Sequence, residues 1–243
     1  MTDRTAVDWN AIHQSLWDRG WADAGPLFDQ EACAELRGLY DRDSLFRTRV
    51  VMARHRFGEG EYKYFDNPLP ASVRQLREWS YARLAGLANQ WNEALGIQGA
   101  YPDGHPQFIA ACHAQQQTRP TPLMLRYAEG GYNCLHQDLY GAVYFPFQMV
   151  VMLSQPGVDY DGGSFLLVEN RPRAQSAGEA LLPPLGHGII FTTRTRPVRS
   201  STEARRAKAG STRGFYRTTM RHGVSTVTRG HRFTLGIVYH DAK

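Results

Sequence analysis

From about residue 120 the chain is cut into short apolar runs by turn residues, and that rhythm narrows the fold more than any other sequence feature. Pro122–Tyr127 reads as a strand that ends at the turn Glu129-Gly130-Gly131, and another strand runs through Gln148–Leu153. Ser164–Glu169 follows the turn Asp161-Gly162-Gly163, Gly188–Thr192 follows a loop with proline and glycine, and Phe233–Tyr239 closes the chain. The first hundred residues have a different texture. Asp29–Tyr40 opens on a capping aspartate and carries Cys33, Leu36 and Tyr40 at helical spacing. Ser72–Leu95 repeats apolar residues every three or four positions, between Pro70 and a terminating Gly96. Arg47–Arg56, between these helices, looks extended. A helical start followed by many short strands predicts an α+β protein. Its core is expected to be a double-stranded β-helix (jelly roll) over residues 101–243, backed by a helical elaboration over 1–100, the two forming one continuous domain.

With 243 residues, 42% of them hydrophobic, the chain can bury a sizeable core and is not expected to be disordered. No apolar run approaches the ~18 residues that a membrane span needs; the longest candidate is Met149–Leu153. The opening MTDRTAVDWN lacks the apolar segment of a secretory signal, so the expectation is a cytoplasmic protein without membrane contact. Three cysteines, Cys33, Cys112 and Cys134, are odd in number and without metal-site spacing, which reads as free thiols in a reducing compartment. The formal charge of +5 leans towards a polyanionic partner.

Chemistry concentrates around Cys134-Leu135-His136-Gln137-Asp138. In extended backbone, residues two apart share a face, so His136 and Asp138 can reach one metal ion. His222, just before the last strands, is the candidate third ligand. Two imidazoles and one carboxylate suit iron(II) and leave adjacent positions open for a bidentate co-substrate and dioxygen. Arg232 follows ten residues later on a predicted strand with Thr234 on the same face. Together they could hold a carboxylate through a guanidinium fork and a hydroxyl.

Arg126-Tyr127, His136-Gln137-Asp138, Asp161-Gly162-Gly163-Ser164-Phe165, His222-Gly223-Val224 and the run Val227–Thr234 occur in that order. This ordered set resembles the prolyl-4-hydroxylase-like branch of the iron(II)/2-oxoglutarate oxygenases over about half of the chain. The resemblance implies that His136, Asp138 and His222 bind iron, and that Arg232, with Thr234, binds the distal carboxylate of 2-oxoglutarate. It implies a dioxygenase that couples oxidative decarboxylation of 2-oxoglutarate to C–H hydroxylation, with Fe(II), 2-oxoglutarate and O2 as cofactor and co-substrates. Many members carry a further tyrosine on the strand after the His-x-Asp motif. Here that strand reads Val150-Val151-Met152-Leu153, and Tyr127 or Gln148 is the candidate second anchor.

Substrate classes stay open. The overall resemblance is to a bacterial family catalogued as AlkB-like oxygenases of damaged DNA, which would remove an alkyl group from a flipped base. AlkB-type enzymes carry a second arginine six residues after the first, whereas position 238 is Val238. The alternatives are a prolyl or peptidyl hydroxylase, a small-molecule hydroxylase and a non-enzymatic sensor of iron or 2-oxoglutarate. The segment Arg194–Arg221 holds nine basic residues against Glu203 alone and reads as a loop. Within it Arg213, Tyr216, Arg217 and Arg221 are candidates to grip a nucleic-acid or acidic peptide substrate. The remaining histidines read as surface or hydrogen-bonded residues, and the tryptophans at 9, 17, 21, 79 and 91 as core packing.

Overall fold

The computed structural model describes residues 6–200 and 214–243. Four α-helices occur among the described residues: α1 (Trp9–Arg19), α2 (Gln30–Gly38), α3 (Ala71–Leu95) and α4 (His105–Ala114). Four strands precede residue 100: β1 (Trp21–Pro26), β2 (Phe46–Val51), β3 (Gly58–Glu59) and β4 (Glu61–Phe65). The next six are β5 (Leu123–Tyr127), β6 (Tyr132–His136), β7 (Phe147–Met152), β8 (Tyr160–Gly162), β9 (Phe165–Asn170) and β10 (Ala177–Leu181). The last are β11 (His187–Thr192), β12 (Thr195–Arg199), β13 (Phe215–Val224), β14 (Val227–Gly230) and β15 (Arg232–Val238). No helix of the described residues is long and apolar enough to cross a membrane.

The strands form two main antiparallel sheets. The larger runs β1-β11-β7-β15-β5-β4-β2; the smaller runs β10-β9-β13-β6-β3, with β12 added to β13. A short pair, β14 with β8, stands apart. The two expected helices are present with their signals. The Asp29 carboxylate accepts from the Ala32 N–H to cap α2, and Gly96 ends α3 in the left-handed conformation at φ 65°.

The expectation for residues 1–100 needs correction, because this segment also supplies strands to both sheets. In β4 the alternation of Tyr62 and Tyr64 with Glu61 and Lys63 is a strand pattern whose charges face neighbouring groups rather than water. Glu61 accepts from Tyr40 and Arg49, while Lys63 donates to the Tyr40 carbonyl and to Asp43. The 194–221 stretch, read as a loop, begins and ends in the β12–β13 hairpin, where Thr195–Arg199 pairs with Phe215–Thr219.

Every residue of β7 is buried, because both faces of the larger sheet are covered. Phe147, Met149 and Val151 join the main core, which also takes in Leu84, Leu87 and Trp91 of α3. Gln148 and Val150 face the opposite way, into a cavity between the sheets. Buried Arg77 ties α3 to the chain end by donating to the Val238 and Tyr239 carbonyls and to Asp241. That anchorage holds β15 against the helix.

Candidate active site

Antiparallel pairing of β13 with β6 sets His222 directly opposite His136. Their rings lie 4.2 Å apart, centroid to centroid. Asp138 follows β6 in a loop, with Oδ1 3.6 Å from His136 Nε2 and Oδ2 3.2 Å from His222 Nε2. One ligand atom from each residue falls within 4.8 Å of the others, so the three can hold one metal ion. Nδ1 of His136 donates to the Cys134 carbonyl at 2.7 Å, which fixes the tautomer and turns the Nε2 lone pair towards Asp138. Burial alone would raise the Asp138 carboxyl, but a hydrogen bond from His222 and the charges of both histidines hold it below the usual range. Burial, then the neighbouring His136, pushes His222 down, favouring the neutral imidazole that ligates metals.

The triad opens on a cavity of about 420 Å³. Its larger-sheet wall carries Arg232, Thr234, Gly236 and Val238, alternate residues of β15. Arg232 is 1% exposed, and no carboxylate among the described residues pairs with it. Its guanidinium lies over the Tyr127 ring at 5.6 Å and near the Tyr160 ring at 6.0 Å, and Nη2 contacts the Met152 sulfur at 3.8 Å. Nε of Arg232 is buried without a hydrogen-bond partner, and the Tyr160 hydroxyl has the guanidinium as its polar neighbour. A buried cation left unpaired costs several kcal/mol, so an anion entering here recovers a large electrostatic gain. Gly163 packs against this side chain: a Cβ there would lie 2.9 Å from Arg232 Cδ, and its φ of 58° also favours glycine.

The sequence-level candidates separate by position. Tyr127 pairs with Arg232 in the β15–β5 register, and Asn133 donates to its hydroxyl at 3.2 Å. Gln148 pairs with Val238, six residues from Arg232 along β15, a distance of about 20 Å at the ordinary strand rise. Of the two candidate second anchors, Tyr127 therefore stands beside Arg232 and Gln148 at the far end of the inward row of β15. Arg213 lies outside the described residues. Tyr216, Arg217 and Arg221 do not line the cavity. Arg221 neighbours His222 on a strand and points to the opposite face, and Arg217 donates to the Leu95 carbonyl at the end of α3.

Residues that the sequence reading passed over complete the site. Tyr140 donates to Asp138 Oδ1 at 2.7 Å and accepts from Tyr64 at 2.9 Å. Its spacing of two from Asp138 was the available signal. At the rim stand Arg56 and Phe57, the latter 46% exposed and stacked on His55 at 5.4 Å.

Comparison with known proteins places the chain in a family. A family model described as "Oxygenase, catalysing oxidative methylation of damaged DNA" matches residues 60–242. An uncharacterized protein of Mycobacterium tuberculosis, found in strains CDC 1551 and H37Rv, is 46% identical over 211 residues, covering 85% of this chain and 86% of its own. In fold, the chain is similar to a prolyl-4-hydroxylase from Pseudomonas putida, with a TM-score of 0.55 at 14% identity over 97% of this chain and all (100%) of that one. An oxidoreductase of the 2OG-Fe(II) oxygenase family from Burkholderia pseudomallei gives 0.55 at 17% identity, over 98% and 94%. With three quarters of its length matched by the family model, this chain belongs to that oxygenase family, and its fold is similar to that of 2OG-Fe(II) oxygenases.

Proposed function

We propose that His136, Asp138 and His222 hold the iron, that Arg232 takes the distal carboxylate of 2-oxoglutarate, and that the group hydroxylated is an alkyl substituent on a damaged nucleic-acid base. On this reading the facing sheets are the double-stranded β-helix of a single continuous domain. The observation that carries the assignment is a buried Arg232, with no carboxylate partner among the described residues, in the same cavity as three converging metal-ligand side chains. The donor set of two imidazoles and one carboxylate fits iron(II). Bound iron with 2-oxoglutarate and dioxygen supplies the oxidising power for C–H hydroxylation. The protein's share is positional. Thr234 and the Tyr127 hydroxyl flank the carboxylate seat, Met152 and Tyr160 exclude water from it, and Tyr140 orients Asp138.

Three features support nucleic acid as the substrate. They are the family's description, the net charge of +5, and the exposed rim of Arg56 with Phe57 stacked on His55, which suits a phosphate beside an unpaired base. The likeness of fold to prolyl hydroxylases supports a peptide as the second reading. The test is succinate formation by anaerobically iron-loaded protein given 2-oxoglutarate and then oxygen, with methylated single-stranded DNA or a proline-containing acidic peptide. The expected result is succinate that rises with the DNA, in step with formaldehyde. Stimulation by the peptide alone would replace the substrate assignment.

A further inference from the structure

We infer that the end of the cavity walled by Tyr62, Tyr64 and Tyr140 and closed by Gln148 is the subsite for the substrate's reacting group, and that this group is a flat heterocycle with adjacent hydrogen-bond acceptor and donor on its edge. This rests on the nucleic-acid reading above and gives it a location and a determinant of specificity.

The cavity has two ends because β15 lays its inward residues out in a row. Arg232 stands at one end beside Tyr127; Val238 stands at the other, paired with Gln148. A dicarboxylate seated on Arg232 uses the first end only. The second end abuts the triad. Phe191, the β11 partner of Gln148, lies 4.8 Å from the His222 ring, and Tyr140 is bonded to Asp138.

The walls of the second end are apolar and held firmly. Tyr62 and Tyr64 meet at 5.4 Å and 85°, and Tyr64 and Tyr140 at 6.1 Å and 90°. The Tyr64 hydroxyl donates to Tyr140 and the Tyr140 hydroxyl to Asp138, so both hydroxyls are engaged. What these two offer a ligand is ring surface on the cavity side, which favours a planar group. Leu123 and Val238 pack with these rings.

One polar group breaks this surface. Gln148 is 3% exposed, and its Nε2 is buried with no hydrogen-bond partner. A buried amide in that state is unfavourable, and a ligand acceptor reaching it relieves the penalty. The amide offers a donor next to an acceptor in one plane, the complement of a nucleobase edge. Behind the rings, the Arg47 guanidinium lies over Tyr64 at 4.5 Å and the His240 ring lies 5.8 Å from that of Tyr140, while the Gln148 amide is the polar group left to meet the edge of a base.

The test uses full-length iron-loaded enzyme, single-stranded oligonucleotides that each carry one N-methylated base of a different type, and the variants Gln148→Leu and Gln148→Glu. Succinate kinetics give KM and kcat for every oligonucleotide. Calorimetry with Mn(II) and then 2-oxoglutarate checks that each variant is folded and that the first end of the cavity is intact. The expected result is a preference among bases that collapses in Gln148→Leu and is reordered in Gln148→Glu, with KM for the preferred base raised ten-fold or more. Affinities for Mn(II) and 2-oxoglutarate should stay within two-fold. Unchanged base preference in variants whose turnover DNA still stimulates would overturn the subsite and leave the nucleic-acid reading standing. A ten-fold loss of 2-oxoglutarate affinity in the variants would return Gln148 to the co-substrate and also overturn the subsite. No stimulation of the wild type by any oligonucleotide would overturn both.

Discussion

On the proposed assignment, Arg232 trades stability for binding. A fully buried guanidinium with no carboxylate partner among the described residues costs desolvation, which a bound carboxylate would offset. Arg232→Met keeps the bulk beside Tyr127 and Tyr160 while removing the charge. It should raise stability by about 1–2 kcal/mol in thermal unfolding without 2-oxoglutarate, and abolish 2-oxoglutarate binding in calorimetry. A lower melting temperature would show that the charge is compensated in the folded protein. Tyr140 acts through Asp138, holding Oδ1 while Oδ2 faces His222. Tyr140→Phe should weaken Mn(II) affinity about ten-fold, with Tyr64→Phe producing a smaller loss in the same titration.

At the level of elements, the turn Asp161-Gly162-Gly163 does more than join strands. Gly162 and Gly163 both take positive φ, and Gly163 lets the turn close directly on Arg232. Gly163→Ala should cost about 1–2 kcal/mol for the left-handed backbone alone. It should also displace Arg232 and lower 2-oxoglutarate affinity, whereas alanine at Gly157, where a Cβ meets open space, should share only the backbone cost. Comparing the two variants by urea unfolding and calorimetry separates strain from displacement. The β13–β6 pairing is the other decisive element, because a slip of one residue would turn His222 away from His136.

Across the whole molecule, the buried histidines His105 and His240 should make the fold less stable in acid. Burial, then the nearby Arg77, pushes His105 and His240 down to about 3. His105 donates from Nε2 to the Tyr239 carbonyl, while His240 accepts at Nδ1 from the Phe145 N–H, as a neutral ring does. In the unfolded chain both would take up a proton near pH 6.5. Between about 6.5 and about 3 the folded state therefore binds fewer protons, and stability falls as pH falls. The slope should reach ~1.4 kcal/mol per pH unit for each histidine and level off below about 3. Urea midpoints at pH 7, 6, 5 and 4 would follow this course, and His240→Gln should remove about half of the slope. A flat profile would mean that these rings protonate in place.

Local pattern carried much of the reading. Helix periodicity and caps placed α2 and α3, short apolar runs placed β5, β7, β9, β11 and β15, and the spacing of His136, Asp138, His222 and Arg232 pointed to an oxygenase. These signals are legible because they depend on neighbours in the chain or on a chemical motif in a set order. Strand partners are not local, and so the tertiary structure alone decided the rest. It put β1 to β4 into the sheets, separated Gln148 from Arg232 along β15, turned Arg217 and Arg221 away from the cavity, and brought Tyr64 and Tyr140 to Asp138. A side chain's direction follows from register and alternation. Register is fixed by packing between segments as far apart in sequence as β4 and β15, on which the residues of any one segment are silent.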